Sequence, residues 1–182
     1  MRYVLQLRRI LAAHVAQFLL YLRYNYLLIV IAAGGLAVLV LSRWIGWNSS
    51  TSAAPIGFYL RSKAQPKRRQ LVEVCLPPEW AKFAMDRGYI RHSWRCPDGS
   101  EPLGKIIAGM PGDELDIDPS TVLKTDSMGR PMPHVFGKER IGKDQVWLSG
   151  TARKSFDSRY FGTVPEANVI DDLTPLWTWG KS

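Results

Sequence analysis

The chain has 182 residues and a net charge of +8, enough length for one compact domain and little more. Its charge distribution argues against nucleic-acid binding. Residues 1–72 carry ten Lys and Arg and no Asp or Glu, whereas 73–182 carry fourteen basic residues against all sixteen acidic ones. A phosphate footprint would concentrate positive charge on the folded part, so no nucleic-acid partner is expected.

Residues 3–22 carry a helical pattern interrupted by Arg8, Arg9, His14 and Gln17. Its clean apolar stretch is too short to span a bilayer, so 1–23 reads as a cytoplasmic, interfacial helical segment. Tyr24 to Ser42 follows, nineteen residues without a charge, or about 28 Å of helix, close to the thickness of a hydrocarbon core. Residues 24–44 are therefore read as a transmembrane anchor contacting membrane lipid. Arg2, Arg8, Arg9 and Arg23 precede it and Arg43 alone lies close behind. The charge bias puts the N-terminus in the cytoplasm and 45–182 outside, with Trp44 and Trp47 at the far interface. A cleavable signal peptide ending near "TSAA" is the competing reading. About 25 residues of lead and a proline immediately after the scissile bond argue for the uncleaved anchor.

Beyond the anchor, "SKAQPKRR" (Ser62 to Arg69) is a polar loop and "QLVEVCL" a strand. "PPEWAKFAMDRGYI" starts on proline, spaces Trp80, Phe83 and Ala84 as a helix does, and reaches Gly88 near its end. The runs "LGKIIAG", "DELDI", "STVLK", "QVWLSG" and "ANVIDDL" read as short strands bounded by turn residues. The fold class is mainly β, with one N-terminal anchor helix. Cys75 and Cys96 lie in the exported part, where a disulfide and two separate buried thiols both fit.

Three stretches could carry chemistry. "STSAAPIGFY" (Ser50 to Tyr59) has a proline and a glycine that can fix a hydroxyl beside a strand. In "GKIIAGMPGDELDI", Lys105 is an edge charge or snorkelling side chain if exposed. If it is buried, desolvation lowers its pKa and makes it a base for a serine hydroxyl. "SFDSRYFG" (Ser155 to Gly162) is either a turn in which Asp157 pairs with Arg159, or a cluster that orients the base. His14, His92 and His134 lack ligand spacing, so neither a metal nor a cofactor is expected. The same histidines sit in no motif supporting a Ser–His–Asp triad.

"KIIAGMPGD" resembles the lysine box of type I signal peptidases, and "SFDSRYFG" resembles their aspartate box almost letter for letter. Within that superfamily "NSSTSAAPIGFY", "VCLPP", "RCPDG" and "GRPMP" are similar to the conjugative-transfer peptidases that mature plasmid pilins. The resemblance covers essentially the whole exported part. It implies a signal-peptidase-like, β-rich catalytic domain over 45–182 in the periplasm, anchored in the bacterial inner membrane. It also implies paired cysteines, a serine nucleophile, Lys105 as general base and Asp157 as a support. The substrate so implied is a pilin precursor, cleaved or joined head to tail through an acyl-enzyme, with the conjugative secretion machinery as a further partner. A catalytically silent relative that only binds pilin or that machinery is the alternative. The nucleophile position is ambiguous. Counting from Asn48 gives Ser52; counting back from Pro55 in the conjugative pattern gives Ala53, as in a Ser-to-Ala variant.

Overall fold

The computed structural model describes residues 2–180, with the side chains of residues 2–5 and 7–10 left outside that description. Met1, Lys181, Ser182 and the side chains of Arg2, Arg8 and Arg9 therefore lie outside the described parts. The chain divides into two units, Met1–Arg43 and Trp44–Ser182.

The first unit is one helix, α1, Arg2–Trp44, which passes Arg23 without a break. Its stretch Leu11–Trp44 is long and apolar enough to cross a membrane. The described apolar side chains of this stretch are exposed, including Phe18, Leu28, Ile31 and Leu39.

The second unit is β-rich. Its strands are β1 (Ile45–Asn48), β2 (Ile56–Lys63), β3 (Leu71–Val74), β4 (Leu103–Gly109), β5 (Glu114–Ile117), β6 (Gly137–Arg140), β7 (Gln145–Ser149), β8 (Val164–Pro165) and β9 (Val169–Trp179). Seven of them form one sheet in the order β1-β2-β9-β3-β4-β7-β8, and β5 and β6 pair separately. Every pairing is antiparallel. One face of the sheet packs a core that includes Val72, Val74, Ile107, Val146, Leu148 and Val164. Trp47, Phe58 and Trp179 form a ring cluster on β1, β2 and β9, and Trp177 stacks edge-on against Trp179; all four are exposed.

The helix expected after Pro77 is α2, Pro78–Asp86, which buries Ala81 and Ala84. It ends as the sequence asks. Gly88 takes φ 71°, and the Tyr89 and Gly88 N–H groups bond back to Ala84 O and Met85 O, a Schellman closure that only glycine adopts without strain. A second short helix, α3, Ser158–Phe161, lies inside the aspartate stretch.

Three expectations change. "STVLK" is not a strand: Pro119–Thr121 is a 3-10 turn, because Asp118 accepts from the Ser120 N–H and hydroxyl. Such local side-chain bonding competes with sheet pairing. The strand expected to finish in "ANVIDDL" runs on to Trp179 through Pro175. Opposite Phe58 and Tyr59 the register skips Leu176, and a bulge is where a strand tolerates proline. Finally, "SKAQPKRR" gives its first two residues to β2.

Candidate active site

Strand alternation decides the state of Lys105. On β4, Lys105, Ile107 and Gly109 are the buried positions, and side chains two apart share a face. The strand is central, between β3 and β7, so the lysine is neither an edge charge nor a snorkelling side chain. It is 2 % exposed. Its Nζ donates to Ser155 Oγ at 3.0 Å. Burial brings the ammonium down from 10.5 to about 8; Asp157 pulls the other way, and Arg159 reinforces the fall.

The aspartate stretch is held by its aromatic residues and presents its polar ones. Phe156 packs against Phe83, Tyr89, Tyr160 and Phe161, which ties the stretch to α2. Ser155, Asp157 and Ser158 between those rings are fully buried. Ser158 Oγ accepts from the Leu148 N–H on β7. Asp157 caps α3 through the Arg159 N–H, pairs with Arg159 Nε and Nη2 at 2.8 Å each, and accepts from the Gly150 N–H at 2.9 Å. Asp157 does pair with Arg159, and that turn supports the partner of Lys105.

The stretch after β1 turns at Thr51–Ala53. Ser52 is partly buried, and its carbonyl accepts from the Ala152 N–H at 3.2 Å and from Thr151 Oγ1. Its own N–H donates to Ser50 Oγ. Two cavities, of about 390 and 530 Å³, meet here, and Ser50, Ser52, Tyr89, Leu103 and Lys105 line both. Ala53 is 5 % exposed and lines only the first. The structure thus brings Ser52 and Lys105 to the border of both cavities and Ala53 to the border of the first, with the Asp157 turn beside Ser155, the partner of Lys105.

Two residues not singled out in the sequence complete the arrangement. Ser155 belongs to the stretch expected to orient the base and is the group that touches Lys105. Gly150, read only as the end of a strand, lies where the two loops meet: a Cβ there would fall 1.9 Å from Ser155 Oγ and 2.5 Å from Ser52 O. Close approach of two backbones is a use of glycine that its letter alone does not declare.

The first cavity has a charged wall. Arg61 and Arg95 both pair with Glu73, and Arg95 also pairs with Asp171. The neighbouring Cys96 is bonded to Cys75, with Cα atoms 5.7 Å apart, which fastens the loop carrying Arg95 to the end of β3. The second cavity is more apolar, lined by Leu123, Met132, Phe156 and Tyr160 among others. Among the described residues no group of three or more His, Cys, Asp or Glu is placed to hold a metal ion.

Residues 19–177 match the family described as "Signal peptidase, peptidase S26". The chain belongs to the S26 signal peptidase family. This family chain is 31% identical over 147 residues to a "Plasmid transfer protein TraF" of Escherichia coli, covering 72% of this chain and 82% of that protein. It is 32% identical over 144 residues to a "Conjugal transfer protein TraF" of Agrobacterium fabrum (strain C58 / ATCC 33970), with 71% and 80% covered. A "Probable conjugal transfer protein TraF" of Sinorhizobium fredii is 34% identical over 112 residues, 55% of this chain and 58% of that one.

Proposed function

We propose that this S26 chain is a membrane-anchored serine endopeptidase that matures a conjugative pilin precursor, with Ser52 as nucleophile and Lys105 as general base. The observation that carries this is the joint bordering of both cavities by Ser52 and a buried lysine whose proton leaves near pH 8. Ser155 also touches Lys105, but it is the more buried of the two serines and lines only the second cavity, whereas Ser52 lines both. It orients the amine.

In the first step neutral Lys105 takes the Ser52 hydroxyl proton as Oγ attacks the scissile carbonyl. The Ser50 hydroxyl accepts from the Ser52 N–H and keeps its own proton to donate to the oxyanion. Collapse breaks the C–N bond, and Lys105 returns the proton to the leaving amine. The acyl-enzyme ester is then opened by water, giving a linear product, or by the pilin's own amino end, giving a cyclic one. Lys105 removes the attacker's proton in either case.

The relatives' conjugal-transfer names support a pilin substrate and contact with transfer machinery. The long apolar helix and the exposed Trp47, Phe58, Trp177 and Trp179 support membrane lipid as a second partner. Within this reading residues 1–23 are cytoplasmic, 24–44 cross the inner membrane and 45–182 are periplasmic. Incubating the full chain with a pilin precursor and weighing the product tests the substrate. A shortened pilin supports the reading, and a mass one water below the linear fragment adds cyclisation. An untouched precursor beside an intact, folded enzyme contradicts it.

A further inference from the structure

Asn48 is the last residue of β1, and its backbone pairs with Gly57 on β2. Its side chain is committed elsewhere. Nδ2 faces the carbonyls of Ser50, Ala54 and Pro55 at 2.8, 3.1 and 2.9 Å, while Oδ1 accepts from the Ser50 N–H at 3.2 Å. One carboxamide thus gathers both ends of a loop that bears Ser52 between them. Tyr59, 2 % exposed, adds its hydroxyl to Pro55 O at 2.6 Å. The loop pairs with no strand: the Ser52 N–H goes to Ser50 Oγ within the loop, and outside it the Ser52 carbonyl meets the Ala152 N–H and Thr151 Oγ1, while the bonds of Asn48 hold its two ends.

We infer that Asn48 is a positioning residue for the reaction at Ser52: its carboxamide holds the Ser49–Pro55 loop in the phase that turns residue 52, not its neighbour, toward Lys105. The inference rests on the serine–lysine reading above. The demand is for one short side chain that both donates and accepts, which an amide does and a carboxylate does not. The loop sits at the centre of the ambiguity between positions 52 and 53, because a turn fixed at only one end can rotate by a residue. Fixing it at Ser50 and again at Ala54 and Pro55 removes that freedom. Displacement of an attacking atom by about 1 Å costs on the order of 100-fold in rate.

The test compares the full-length chain in detergent with its Asn48→Ala and Asn48→Asp variants, using a pilin precursor as substrate. Both variants are expected to lose about 100-fold in kcat with KM within about two-fold, as misplacement of a bound reactant requires. Amide exchange of the 49–55 segment is expected to quicken about ten-fold in both while the rest of the sheet keeps its protection. Parental kcat in either variant, a loss of kcat matched by a loss of folded protein, or unchanged exchange over 49–55 would overturn the role of Asn48. A parent chain that leaves every substrate uncut contradicts the peptidase reading instead. The exchange result alone then decides whether Asn48 holds the loop.

Discussion

Lys105 Nζ and Ser155 Oγ, fifty residues apart in sequence, are joined by a 3.0 Å hydrogen bond in which both partners are buried. In the proposed mechanism this bond aims an amine whose hold on its proton burial has weakened. Neither effect alone makes a base: an exposed lysine is protonated at neutral pH, and a buried lysine without a hydrogen-bond acceptor has no fixed direction.

The cost of that arrangement is measurable as stability. Lys105 falls from 10.5 to about 8 on folding. Between those two values the unfolded chain holds a proton that the folded chain has released, so rising pH favours the folded state across the window. Below about pH 8 both states carry the proton and the destabilisation, about 3 kcal/mol, is fully present. Lys105→Met should therefore raise the Tm at pH 7, by a free energy of about 1–3 kcal/mol once the lost Ser155 bond is included. That gain should fade as pH approaches 10.5, and turnover should vanish. In the parent, activity should climb with pH through an apparent pKa of about 8. Thermal melts and initial rates between pH 6 and about 10 check all of this.

Asp157→Asn separates a charge role from a geometric one. The carboxylate raises the Lys105 pKa and Arg159 lowers it. Without the carboxylate, Arg159 acts alone and the acid limb of the rate profile should move below 8. The same change leaves a mostly buried guanidinium uncompensated, with a stability loss of about 3 kcal/mol expected. A rate profile that keeps its acid limb in place would show that Asp157 exerts no field at Lys105.

Lys105 and Asp157 were legible because their boxes are strong strings of letters, and the chain's β character because short β-branched runs alternate with turn residues. The burial of Lys105 was not, since Ile106 and Ile107 flank it and either phase of the strand fits the letters. The letters leave positions 52 and 53 open, and the proposal of Ser52 leans on the Thr51–Ala53 turn and the two cavities, which no local pattern contains. The strands at Ile45–Asn48 and Ile56–Lys63 were missed because the first continues the flank of an apolar helix and the second sits in a stretch read for its chemistry. Contacts such as Ser155 to Lys105 arise from sheet order, which no local pattern contains.

Gly150→Ala should disable the site without touching a reacting group. Its Cβ would meet the Ser155 side chain and the Ser52 backbone at under 3 Å, so the Ser52 loop and the lysine's partner must both move. Overpacking of this kind costs about 1–3 kcal/mol, and kcat should fall much further than the Tm alone explains. Gly104→Ala is the control, since nothing lies within 4 Å of a Cβ there; its Tm should match the parent's.

Reducing the Cys75–Cys96 bond should lower stability by about 3 kcal/mol, from a loop with a sequence separation of 21. It should also loosen Arg95 from Glu73 and Asp171 on the wall of the first cavity. Urea titrations with and without reductant measure the first effect, and KM for a peptide substrate measures the second. Equal midpoints in the two titrations would contradict a structural role for the bridge.

The central claim is that Ser52 is the atom that attacks. Its most direct measurement is an acid quench of the full chain reacting with a pilin precursor, followed by peptide mapping of the acyl-enzyme by tandem mass spectrometry. The account predicts a pilin acyl group esterified to Ser52, absent from Ser52→Ala and from Lys105→Met. An acyl group found on another residue, or processing that continues at the parental rate in Ser52→Ala, would contradict it.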